Sequence, residues 1–159
     1  TGGRRDEEIL DVVSEFKCPF VITHSRGDSI NMNNLTKYDD FLVDIIHSLE
    51  SLTKKALSKN VSKDKIIWDP GIGFSKDTKQ NIEILRNIPF FKKFDFPLLI
   101  GASRKRFIGE ILNEPNPKER DIGTLAISCL CSQQNIHLVR VHNVKINHQV
   151  LKVADHIFR

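Results

Sequence analysis

Apolar side chains recur along this chain with two alternating spacings. Across residues 5–16 they fall at Ile9, Val12, Val13 and Phe16, the spacing of a helix with one buried face. Cys18-Pro19 breaks that pattern, and the β-rich run at 20–23 predicts a strand. Thr36 is a candidate N-cap for a long helix with Phe41, Ile45, Leu49 and Leu52 on one side, ending in the polar stretch 58–62. A second strand is predicted over 65–69. After the Gly-rich loop 70–74, Asp77 or Thr78 caps a helix that buries Ile82, Leu85 and Ile88 and closes at Pro89. A third strand spans 96–101, and the basic loop 102–106 leads into a short helix. Pro115 and Pro117 mark a turn, followed by a helix over 119–134, a strand over 137–141 and a last helix over 144–157.

Four short apolar strands, each followed by a helix, predict parallel βα units and the α/β class. Strand starts recur every 30 to 45 residues or so (about), which suits a TIM (β/α)8 barrel or a doubly wound open sheet. All four strands end in polar or charged groups: Thr23-His24-Ser25-Arg26, Asp69, Ser103-Arg104-Lys105-Arg106, and Arg140 with His142. A barrel gathers several strand ends on one face, whereas an open sheet concentrates its site at one switch point, so the pattern favours the barrel. Only about four of the eight units of a barrel are present. Half a barrel leaves two unpaired strand edges, so further sequence or another chain is expected to complete it.

A chain of 159 residues has the size of one domain, and 40% apolar with 28% charged residues supply a core and exclude disorder. The longest apolar runs, such as 96–100, fall far short of the roughly 20 residues of a membrane helix. Twenty-four Lys and Arg against 20 Asp and Glu leave a charge of +4, which favours anionic ligands without the charge density of a nucleic-acid binder. Cys18, Cys129 and Cys131 have neither zinc spacing nor a disulfide framework and fit a reducing compartment. The chain opens Thr1-Gly2-Gly3 without methionine or a signal-like segment, and a longer parent polypeptide is expected.

Asp69-Pro70-Gly71-Ile72-Gly73-Phe74 carries the most specific pattern. A carboxylate at a strand's C-terminal end lies in a barrel mouth, and two glycines let backbone approach a flat ligand that Phe74 covers. Asp69 then either accepts a pair of N–H donors from a pyrimidine-like edge or caps its own turn. Ser103-Arg104-Lys105-Arg106 sets three cations between a strand and a helix; they suit an anionic partner, and not all three can point inward. Arg140 and His142 alternate across Val141, so on a strand they share one face and suit a phosphate or diphosphate. An ion pair with an acidic neighbour is the other use for them. His24 and Arg26 have the same spacing in a turn and are open to either use. Trp68, one residue before Asp69, faces the helix layer, while His47, His148 and His156 lie on helices as surface or packing residues. Neither an H-x-x-x-H motif nor a cysteine pair makes a protein metal site.

Together these residues resemble the dihydropteroate synthase family, pterin-binding barrel enzymes of folate synthesis and the target of sulfonamides. The resemblance covers nearly the whole chain. It rests on Gly2-Gly3 before a helix, His24-Ser25-Arg26-Gly27, DPGIGF at 69–74 with Lys76, GASRKRFIG at 101–109, Glu119-Arg120-Asp121 and RVHNV at 140–144. It implies that residues 1–159 are the C-terminal part of a single pterin-binding barrel domain, with the N-terminal half outside them. It also implies a transferase reaction in which p-aminobenzoate displaces pyrophosphate from 6-hydroxymethyl-7,8-dihydropterin diphosphate, with Mg²⁺ assisting. On the matching positions, Asp69, Lys105 and Arg140 hold the pterin, and Gly73, Phe74, Lys105 and Arg106 border the aminobenzoate and sulfonamide pocket. Arg140 and His142 bind the diphosphate, and Lys105, Arg140 and His142 form the catalytic set, where cations stabilise the leaving charge.

Thr23 departs from the Met that the family often has before His24. The family's Mg²⁺-binding Asn, a further pterin-binding Asp and Asn, and two mobile loops come from strands outside residues 1–159. No metal ligand is therefore implied within the chain, and synthase activity is not expected of it alone. The resemblance further implies a homodimer through the C-terminal helices, fusion to other folate-pathway domains in some settings, and a cytoplasmic location, or a mitochondrial one in a eukaryote. Two alternatives stand beside it: a related pterin-binding methyltransferase, which has no diphosphate to hold, and a non-catalytic half-barrel that binds another chain through its open edges.

Overall fold

The computed structural model describes residues 8–27 and 35–159. Gly2-Gly3 and the predicted helix start at 5–7 lie outside the described residues. Helix α1 (Glu8–Phe16) buries Leu10 and Val13. Its buried face is rotated from the predicted one, because Val12 and Phe16 stand exposed. Strand β1 (Phe20–Thr23) follows with Phe20 and Ile22 inward.

Helix α2 (Phe41–Ser58) starts later than the sequence suggests: Asp40, not Thr36, is the N-cap, its carboxylate accepting from the Val43 N–H at 3.3 Å. The Thr36 carbonyl instead accepts from Gln80 Nε2 at 2.7 Å, tying the approach to α2 onto the next helical unit. Along α2, Ile45, Ile46, Leu49, Thr53 and Ala56 are buried, a stripe that faces the sheet. Strand β2 (Ile66–Asp69) comes next, and helix α3 (Thr78–Arg86) opens on Asp77 with a reciprocal capping box to Gln80. Pro89 does more than close α3. It sits in the first turn of a separate short helix, α4 (Ile88–Lys92), where its missing N–H costs nothing.

Strand β3 (Leu99–Ile100) and strand β4 (Leu138–Val139) are shorter than the predicted 96–101 and 137–141. Pro97 has no N–H for a ladder, and the Leu98 N–H is taken at 3.2 Å by the His137 side chain. Beyond β3 come α5 (Arg106–Leu112), a 3₁₀ turn at Pro117–Arg120, and α6 (Asp121–Gln133). Helix α7 (Val144–Phe158) ends the chain.

β1 pairs in parallel with β2, with Thr23 opposite Asp69. A Trp68–Leu98 bridge carries the sheet on to β3, which pairs in parallel with β4. Strand order therefore follows chain order without reversal. With right-handed crossovers, that order keeps the connecting helices on one side of the sheet, as in a barrel, and creates no switch point. The parallel register also brings the ends of β1 and β2 level, so Thr23, His24 and Asp69 meet at one rim. Trp68 is fully buried and turned to the helix layer, donating from Nε1 to Thr53 Oγ1 of α2 at 2.9 Å, and Phe96 stacks on it at 4.6 Å.

Candidate active site

Asp69 ends β2 as a nearly fully buried carboxylate, 1% exposed. Its Oδ1 accepts from the Gly71 N–H at 2.8 Å, and its Oδ2 from Arg140 Nη2 at 3.0 Å and Thr23 Oγ1 at 3.4 Å. Asp69 thus caps its own turn with one oxygen and binds a cation with the other. Four lone-pair sites on the carboxylate leave acceptor capacity beyond these three donors.

The loop after Asp69 is shaped by two glycines with left-handed backbone. At Gly71 (φ 74) a Cβ would fall 1.8 Å from the His24 carbonyl oxygen, so only glycine lets the loops after β1 and β2 touch. At Gly73 (φ 79) a Cβ would lie 2.7 Å from Lys105 Cδ. The Lys105 stem therefore lies along Gly73, and its ammonium sits 4.0 Å from the centre of the Phe74 ring, a cation–π contact. Burial pulls the Lys105 pKa below the ordinary lysine range, Arg140 repels it further down, and Asp69 partly offsets both.

The three cations of 104–106 diverge. Arg104 has left-handed backbone (φ 58), and its guanidinium binds Asp121 at the head of α6 through two bonds of 2.7 and 2.9 Å. Lys105 alone turns to Phe74 and Asp69. Arg106 opens α5, exposed, with Nε 3.2 Å from Glu110 Oε1.

Arg140 and His142 lie just past β4, and both are exposed on the open side of the site. Arg140 reaches Asp69, the ion pair with an acidic neighbour that is one of the two uses foreseen for it. His142 is held by Ser103, whose Oγ lies 2.9 Å from His142 Nδ1 and accepts the His142 backbone N–H at 3.1 Å. Ser103 Oγ has one proton to donate and a second lone pair to accept with, so it serves either tautomer of the ring.

Two cavities meet at Lys105. One of about 490 Å³ is lined by Phe74, Gly101, Ser103, Arg140 and His142 with Lys105. The other, about 280 Å³, is lined by Gly73, Lys76, Asn81, Arg106 and Phe107, again with Lys105. Each residue singled out from the sequence for this site thus falls at one rim, Arg106 on its outer edge.

Other features of this rim were not read from the sequence. Lys76 is buried and His24 faces it, Nδ1 to Nζ at 2.8 Å. Arg26, open to either use in the sequence, stacks 3.7 Å from the Tyr38 ring centre and binds Asp44. Ser103 carried no signal except its place at a strand end. Cys18, Cys129 and Cys131 are free thiols, and no helix among the described residues is long and apolar enough to cross a membrane.

Fold and rim together define a parallel α/β barrel segment whose strand ends present a buried carboxylate beside several cations. Residues 1–142 match the family model described as pterin binding enzyme, and the chain belongs to that family. Over its whole length it is 42% identical to a dihydropteroate synthase of a Synechocystis species, of which it covers 55%. It is 36% identical to a mitochondrial folate synthesis bifunctional protein of Pisum sativum, matching with all of its length 33% of that protein. The dihydropteroate synthase of Thermus thermophilus in complex with 4-aminobenzoate superposes with a TM-score of 0.91 at 29% identity, covering 99% of this chain and 64% of that one. The chain thus spans about half the length of the Synechocystis synthase.

Proposed function

We propose that these residues are the C-terminal part of a single pterin-binding barrel that makes dihydropteroate from 6-hydroxymethyl-7,8-dihydropterin diphosphate and p-aminobenzoate, releasing pyrophosphate. The observation that carries this reading is the place of Lys105. It stands between a cavity lined by Arg140 and His142 and a second one edged by Gly73 and Arg106, with Asp69 beneath it. Asp69 takes the N–H donors of the pterin's amino-pyrimidine edge. Arg140 and His142 receive the diphosphate, whose charge grows as its bond to carbon breaks, and the cations Arg140 and Lys105 already in place stabilise that charge. Lys105 borders both partners, and Phe74 and Gly73 with Arg106 border the aminobenzoate. A depressed pKa at Lys105 suits a lysine that shares one site with Arg140.

Mg²⁺ belongs to the reaction implied by the resemblance. Among the described residues no cluster of three or more His, Cys, Asp or Glu side chains is placed to hold it, and Asp69 is already engaged by Arg140, Thr23 and Gly71. Its ligand is expected from the strands outside residues 1–159. Association of two copies through α7 is part of the proposal, supported by the exposed apolar side chains Val153, Ile157 and Phe158. So is a reducing compartment, the cytoplasm or a mitochondrion, supported by three free thiols.

The test is turnover of the pterin diphosphate with p-aminobenzoate by the full-length polypeptide, read as pyrophosphate release, with inhibition by added pyrophosphate. Turnover with pyrophosphate inhibition supports the synthase. Methyl transfer from a methylated folate, insensitive to pyrophosphate, would replace it by the methyltransferase reading.

A further inference from the structure

Lys76 is 4% exposed, and the synthase chemistry assigns it no part. Its Nζ donates to the carbonyls of Gly71 and Phe74, each at 3.0 Å, and lies 2.8 Å from His24 Nδ1. An ammonium has three donors and no acceptor, so these contacts engage all of them, and the charged lysine requires His24 to be neutral with its proton on Nε2. The two carbonyls are the ends of the turn that carries Gly73, itself closed by the Phe74 N–H to the Gly71 carbonyl at 3.1 Å. From the other side Asn81 Oδ1 accepts the Gly73 N–H at 2.7 Å. The turn is thereby braced at three of its four residues, Gly71, Gly73 and Phe74, by the side chains of Lys76 and Asn81.

We propose that Lys76, seated against His24, is a positioning residue that sets the Gly71–Phe74 turn so that Gly73 and Phe74 meet Lys105 and form the aminobenzoate side of the site. The role attributed to that side rests on the synthase reading above. The pterin side also has supports outside this turn: Asp69 is held by Thr23 and Arg140, and His142 by Ser103. A buried ammonium is costly unless fully bonded, which makes it a stiff brace when all three acceptors are present. The charged and titratable groups around it are Asp69, which attracts it, Arg26 and Lys105, which repel it, and His24 in direct contact. Burial and the two cations hold its pKa down at about 7.

The experiment uses the full-length polypeptide, wild type beside Lys76→Met and Lys76→Arg, with two readouts. In steady state, Lys76→Met is expected to raise KM for p-aminobenzoate about tenfold or more while KM for the pterin diphosphate stays within about twofold, since a misplaced wall costs mainly the ligand it borders. A merely structural role would lower the active fraction and leave both KM values alone. By hydrogen exchange, the segment 70–76 is expected to exchange about tenfold faster in Lys76→Met, with 144–158 unchanged. Unchanged exchange at 70–76, equal rises in both KM values, or failure of both variants to fold would overturn the proposal. If the wild type shows no turnover, the synthase reading falls, and the exchange rates alone decide whether Lys76 sets the turn.

Discussion

Arg140 and Asp69 lie 71 residues apart in sequence and meet with Nη2 3.0 Å from Oδ2, the one side chain half-exposed and the other fully buried. The pair closes the rim between the ends of β2 and β4. In the proposed synthase it would also couple the pterin end of the substrate to its diphosphate end. On the proposed reading, a ring whose N–H donors approach Asp69 shares that carboxylate with Arg140, which lines the same cavity as His142.

Asp69→Asn replaces one acceptor oxygen by a donor facing donors. For the full-length polypeptide, the affinity for a bare pterin should fall about 100-fold, the cost of leaving buried donors unpaired. Calorimetric titration with the pterin checks it, and an unchanged affinity would remove Asp69 from the pterin site.

Arg140→Ala should weaken the pterin diphosphate more than the bare pterin, by about tenfold or more for a lost charge-assisted contact. It should also raise the Lys105 pKa, because Arg140 is one of the causes that depress it. The two measurements are independent: competitive binding for the first, and an NMR titration of the lysine side chain for the second. Equal losses for both ligands with an unmoved Lys105 would make Arg140 structural.

The βα alternation was legible because helices and strands have different apolar periods, and strand ends were legible because polar groups followed each of them. Legibility failed where a side chain was used by something distant in sequence. Arg104, Lys105 and Arg106 look alike in a charge run, and only the left-handed backbone of Arg104 with Asp121 on α6 separates them. Lys76 was legible with the DPGIGF motif, but its contact with His24 was not, since the two lie 52 residues apart. His137 and Pro97 shorten β3 and β4 through one side-chain contact and one absent donor, neither visible in apolar periodicity.

Gly71→Ala places a methyl within the His24 carbonyl, so the loops after β1 and β2 must separate. Chemical denaturation of the full-length polypeptide should show a loss of about 2–4 kcal/mol, combining backbone strain with a clash against main chain. A loss below about 1 kcal/mol, the scale of a glycine's conformational freedom alone, would mean that the loops are not in contact.

Helix α7 leaves Ile157 68% and Val153 62% exposed beside Phe158, a face that a second copy would cover. Ile157→Asp should shift the full-length polypeptide from dimer to monomer in sedimentation, since a carboxylate in an apolar interface has no partner. A wild type that is monomeric at high concentration would sink this association.

The lowered pKa of Lys76, whose largest cause is burial, gives a pH dependence of definite sign. In the unfolded chain Lys76 binds a proton below the ordinary lysine value of 10.5, and in the fold only below about 7. Between those values the unfolded state therefore binds the extra proton, and stability must rise with pH, by at most about 1.4 kcal/mol per pH unit. Below about pH 7 both states hold the proton, and this contribution is flat at its least favourable level. Lys105 acts in the same direction, so the wild-type curve alone does not isolate Lys76. The difference between wild type and Lys76→Met does. Denaturation of both at pH 6, 7, 8 and 9 or so (about one unit apart) should show the wild type gaining on the variant above neutrality. A difference that stays constant across that range would mean that the three acceptors around Nζ outweigh its burial and keep the lysine charged.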